Sequence, residues 1–144
     1  MAAETGAVDA AVLQWLRADA ALLAVCPDGI QWTVADPAAK RFVLVDRFDH
    51  TVDRRLFGGA AWESFVYMVK AVLPESISVN AREAARLIRL RLDGYAGLQP
   101  DGYALMAPIE EINSIRLVEV DASNPARRIQ HWGGQYAIDL QRTD

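Results

Sequence analysis

The order of apolar patterns predicts an α+β fold: a mostly antiparallel sheet of about four to five strands with two helices packed on one face. Three observations carry that expectation. Residues 61–73 alternate like a strand, with Phe65, Tyr67, Val69 and Ala71 opposing Val66, Met68, Lys70 and Val72. Residues 80–94 instead repeat apolar side chains at helical spacing through Ala81, Ala84, Ala85, Ile88 and Leu92. The chain also runs helix, strands, helix, strands, and its last two strands are joined by a short turn, which favours antiparallel pairing.

The elements follow in order. Residues 7–25 read as a helix broken near Asp19, since Val8, Val12, Trp15 and Leu16 share one face. Pro27 and Asp28-Gly29 end it. Short strands are expected at residues 30–34 and 41–46, separated by the Asp36-Pro37 turn. Residues 47–59 mix opposite charges with few apolar residues and close on Gly58-Gly59, so they read as a long exposed hairpin or loop. Both faces of the strand at 61–73 are largely apolar, which suits a strand covered on both sides or one face awaiting a partner subunit. The second helix opens with Asn80 as cap and Glu83 three residues on, and Gly94 suits its left-handed end. Residues 95–108 form a long connection. Residues 112–121 form a strand that turns at Ala122-Ser123-Asn124-Pro125 into another ending at Arg142, with Gly133-Gly134 suggesting a bulge or bend.

The 144 residues, 52% hydrophobic and 24% charged, fit one domain spanning 1–144, with enough apolar mass for a core that needs no metal or disulfide. Cys26, the single cysteine, reads as a small core residue. A net charge of −4 argues against sequence-independent nucleic-acid binding, and sequence-specific binding is not expected either. No stretch approaches a membrane span, and Glu4 and Asp9 stand where an export signal carries positive charge, so cytoplasmic synthesis is expected.

Chemistry-bearing motifs are sparse. Phosphate-cradling glycine loops and nucleophile elbows are missing, and neither a catalytic constellation nor a cofactor is expected. Asp46, Asp49, His50 and Asp53 are the densest ligand-like set. They read either as a cation site or, because the ligand order of a calcium loop is absent, as a solvated loop paired with Arg47, Arg54 and Arg55. The second reading is favoured, and no metal is expected. Glu110-Glu111, adjacent on an extended segment, point to opposite sides. Arg82, Arg86 and Arg89, at i, i+4 and i+7, form a basic stripe that suits a solvated helix face or an ion-pairing interface. Trp15 is expected in the core, and Trp62 and Trp132 beside glycine-rich corners are the more exposed pair.

The opening AVLQWLRADAALLAVCPDGIQW, with Ala18–Leu22 ahead of Pro27 and Gly29, resembles the start of the tail-terminator (tail-completion) proteins of long-tailed bacteriophages. WESFVYMVKA followed by NAREAARLIRLRLDG, and the endings SIRLVEVD and GQYAIDLQR, resemble later parts of that family in the same order. Residues 47–59 and 95–108 are longer than its usual pattern. The resemblance implies a ring, six subunits in that family, that caps the tail tube and stops its polymerisation. It also implies that the ring offers the head-joining surface at the tail–neck junction of a virion assembled in the host cytoplasm. Its implied partners are other copies of itself, the tail tube protein and a head–tail connector or neck protein. Under it, Arg54, Arg55 and Phe57 become candidates for tube or neighbour contact, and Arg82, Arg86 and Arg89 for an ion-pairing surface. Two rival readings remain open at this stage: a neck or head-completion protein of the same virion, and a small-ligand-binding α+β domain.

Overall fold

The computed structural model describes residues 5–53 and 62–143. Helix α1 (Thr5–Arg17) and helix α2 (Ala20–Val25) divide the N-terminal helical stretch at the expected break. Asp19 causes it: its backbone is extended and its Oδ1 accepts the Leu22 N–H at 3.2 Å, capping α2. After Gly29, at φ 84°, come β1 (Ile30–Trp32), β2 (Phe42–Asp53) and β3 (Trp62–Pro74). A 3-10 turn (Glu75–Ile77) then leads into α3 (Ser78–Leu92), followed by β4 (Tyr103–Leu105), β5 (Glu110–Asp121) and β6 (Asn124–Arg142).

The sheet order is β1-β2-β3-β6, after which β4 and β5 share the remaining side of β6. β1 lies parallel to β2, and every other pairing is antiparallel. The α+β class is therefore as expected, with three helices and six strands among the described residues where two and four to five were anticipated.

One face of the sheet carries the helices. Phe65, Tyr67, Val69, Ala71 and Leu73 of β3 and Tyr136, Ile138 and Leu140 of β6 are buried there. Val8, Val12 and Leu16 of α1, Leu22 of α2, and Ala81, Ala84, Ile88 and Leu92 of α3 meet them in one apolar cluster. Burial of this scale dominates folding free energy. Cys26 sits within it, fully buried, and burial pushes its thiol up to about 12. Reciprocal contacts lock α1 to α3: Trp15 Nε1 donates to the Arg91 carbonyl at 2.9 Å, and Arg91 Nη2 donates to the Trp15 carbonyl at 2.8 Å. Trp15, half-buried at the core margin, stacks on Tyr95 with centroids 4.0 Å apart.

Four local expectations need correction. Residues 47–53 are the second half of β2 rather than loop, with a bulge at Phe48 where the register shifts between Arg47 and Asp49. Asn80 does not cap α3, because the 3-10 turn starts the helix earlier and Ile77 takes the cap position without a side-chain bond. The connection at 95–108 contains β4, three residues paired to the end of β6. Gly133-Gly134 keep regular register with β3 and β5. Their role is close approach, since a Cβ on Gly133 would collide with the Val69 carbonyl oxygen and the Lys70 Cα.

Candidate interaction groove

Because Ala81, Ala84, Ile88 and Leu92 turn α3 onto the sheet, the arginine stripe emerges on the flank of the helix, and Arg82, Arg86 and Arg89 are all exposed. That flank faces the β5–β6 ribbon. Between them runs an open groove of about 330 Å³, with Ala85, Ile115, Trp132 and Tyr136 supplying apolar lining. The predicted stripe thus forms one wall, and the opposite wall adds Arg116 and Glu111 of β5.

Each arginine is held differently. Arg86 donates to Glu83 on its own helix through Nε at 2.8 Å and Nη2 at 2.6 Å, and these bonds hold the Glu83 carboxyl below its ordinary value. Arg89 Nε lies 3.0 Å from Glu111 Oε2 across the groove, an ion pair without hydrogen-bond alignment, since that oxygen is buried with no donor. Arg82 and Arg116 instead lie against the Trp132 ring, 5.7 and 4.4 Å from its centroid. Neither has a carboxylate partner among the described residues. Trp132 is fixed in turn, its Nε1 donating to Gln130 Oε1 at 2.8 Å. An aromatic floor with two uncompensated guanidinium groups suits a partner that brings carboxylates and an apolar or aromatic side chain together.

β5 forms an edge of the sheet. Ile112, Leu117, Val118 and Val120 stand on it between 43 and 53% exposed. A long edge strand with exposed apolar residues is a ready template for another chain.

Two other polar clusters hold the sheet together. Fully buried Glu63 accepts Arg142 Nε at 2.6 Å and lies 2.8 Å from His50 Nε2, clamping β2, β3 and β6. Burial alone would raise its carboxyl; the Arg142 and His50 hydrogen bonds outweigh that and hold it below its ordinary value. On the helix-free face, His131 Nε2 lies 2.8 Å from Glu119 Oε2, while its Nδ1 is buried without a partner.

Sequence and structure coincide on the stripe of Arg82, Arg86 and Arg89, which the fold gathers into one groove. Arg54, Arg55 and Phe57 lie outside the described residues. Asp46, Asp49 and His50 do not converge: His50 turns to Glu63, and no group of three metal-ligating side chains occurs among the described residues. Arg47 reaches Asp9 at 3.7 Å rather than its neighbouring aspartates. Glu110 and Glu111 diverge as expected, the first exposed and the second turned toward α3. Sequence reasoning missed Arg116 and the floor role of Trp132. The available signal was the run from Ile115 to Val120, where apolar residues occupy both strand parities. No described helix is long and apolar enough to cross a membrane.

No protein-family model matches the sequence, and no curated protein matches it. Solved structures do. A chain from the virion of a native gene transfer agent particle is 21% identical, with a TM-score of 0.69 over 98% of this chain and 99% of that one. Another solved chain is 16% identical, with a TM-score of 0.58 over 99% of this chain and 98% of that one. At these identities the likeness establishes the shared fold.

Proposed function

We propose that this chain is a structural protein of a phage-like virion, and within it the tail terminator: a ring, six subunits in the family it resembles, that closes the end of the tail tube. The observation that carries the reading is the fold shared end to end with a chain of a gene transfer agent virion. The sequence resemblance, which runs through the same elements in the same order, supports it independently. The exposed apolar edge of β5 and the uncompensated arginines of the groove also support an assembled rather than a solitary chain.

In this reading the work is steric and electrostatic, not catalytic. Copies join head to tail through a heterologous contact whose rotation closes into a ring. One face of the ring complements the last ring of tube protein. The other cannot accept a further tube subunit, so polymerisation ends, and that face meets the head–tail connector or neck protein.

The test is to delete the gene from the genome that produces the particles and to image the products by electron microscopy. Overlong or ragged tails beside separate, DNA-filled heads are expected. Tails of normal length that fail to join heads would move the protein to the neck. Normal infectious particles would overturn the virion reading altogether.

A further inference from the structure

The groove is more basic than the molecule around it. The chain carries a net charge of −4, yet the groove is lined by Arg82, Arg86, Arg89 and Arg116 against Glu111 alone among carboxylates. Its complement lies on the same chain, at the opposite border of the sheet. There β1 pairs with β2 only from Val43 to Val45, so beyond Val45 the outer side of β2 carries no strand among the described residues. The bulge in that half of β2 leaves Phe48 out of the ladder and 65% exposed. A bulge re-aims a side chain in this way. Asp49, directly after Phe48, is exposed, and Asp46 stands two residues before it, across Arg47. Asp46 takes a 3.4 Å contact from the Thr33 hydroxyl and feels the charge of Lys70 on β3, while Arg47 is turned to Asp9.

An exposed aromatic between carboxylates therefore stands at one border, and an aromatic-floored groove with uncompensated arginines stands at the other. β3 and β6 lie between them. We propose that the groove receives the β2 bulge of a second copy of this chain. Phe48 seats against the Trp132 floor, and Asp46 and Asp49 meet Arg82 and Arg116. The contact is heterologous, because each copy gives one border and takes with the other, so it repeats until it closes. The proposal rests on the ring reading above and names the surfaces through which the ring joins. Charge complementarity of this kind governs register and encounter, and its strength falls with salt.

Two full-length variants test it. One reverses the groove (Arg82→Glu with Arg116→Glu), the other reverses the bulge (Asp46→Arg with Asp49→Arg). All four side chains lie outside the core, and circular dichroism checks each fold. Sedimentation velocity of the wild type, from micromolar to about 1 mM, is expected to show oligomers beyond the dimer that dissociate as salt rises. Each variant alone is expected to remain monomeric. Mixed in equal amounts, they regain assembly as alternating oligomers, because both the native and the reversed contact are then available. Phe48→Ser supplies an independent arm, expected to weaken association about tenfold or more.

A wild type that stays monomeric throughout, variants that associate like it, or a mixture that does not recover would each overturn the proposal. If the groove variant fails instead to join another virion protein while self-association is untouched, the occupant is that protein and not a second copy. The deletion phenotype is scored separately, so overlong tails with no self-association would sink this contact and leave the virion reading standing.

Discussion

Glu63 is fully buried between Arg142 and His50, and Arg142 is the partner that supplies its permanent charge. Removing that partner leaves a carboxylate in the interior, where an uncompensated charge is far more costly than at the surface. Arg142→Ala is expected to lower unfolding free energy by about 3 kcal/mol, read as a shift in the urea midpoint. An unchanged midpoint would mean that His50 suffices. His131 offers a second residue-scale test. Burial lowers its pKa below the ordinary 6.5, Lys70 adds to the lowering, and Glu119 opposes it. A proton added at Nδ1 would sit buried without an acceptor. The folded state thus favours neutral imidazole, and the stability from this group is full above about pH 6.5 and is lost as pH falls below that value. Asp28, Glu63 and Asp121, whose pKa values are also lowered, keep their full stabilisation in this range and begin to lose it only as pH falls through their ordinary values of 3.8 to 4.5. Urea midpoints should therefore decline from pH 7 to about 5.5 in the wild type and decline less in His131→Gln. Equal declines would remove His131 as the cause.

At the scale of the element, β5 combines length with an open side. Val118 is 48% exposed on it and outside the core cluster. Val118→Lys is expected to change unfolding free energy by less than about 0.5 kcal/mol while reducing association or aggregation at high concentration. Loss of stability instead would mean that Val118 packs within its own subunit. Element boundaries were legible wherever one periodicity ran unbroken. The odd-numbered face of β3 and the buried stripe of α3 were readable because burial enforces them. The second half of β2 was not, because the bulge at Phe48 shifts the register and mixed charges on an edge resemble a loop. β4 escaped because three residues carry no periodicity of their own, and their pairing is supplied by the end of β6. The start of α3 was displaced because the capping-box pattern at Asn80 and Glu83 competes with a turn that begins the helix upstream. The groove was half visible. Helical spacing revealed Arg82, Arg86 and Arg89, but Arg116 and Trp132 join them only through the register of β5 with β6.

At the scale of the whole molecule, the asymmetry of the sheet matters most. One border is acidic, bulged and tipped by an aromatic; the other is basic and grooved, beside an apolar edge. A chain with two different borders cannot pair through a single twofold contact and still satisfy both, whereas a head-to-tail arrangement uses each once per copy. Under the proposed contact, this links the groove to a ring. Arg82 and Arg116 then take their anions from the next copy, while Arg86 and Arg89 keep Glu83 and Glu111. The mixing experiment is decisive at this scale, since restored assembly from two defective variants requires that two distinct surfaces meet.

The central pairing of the sheet also decides how the molecule bears load. All 13 residues of β3 face a residue of β6, and β6 runs 19 residues, roughly 60 Å, from the β5 turn to the β4 end. Tension applied along the strands therefore strains that ladder in shear, with its hydrogen bonds sharing the force together instead of opening one by one. A subunit built this way is stiff along its length and yields first where β5 or β1 can peel from the side.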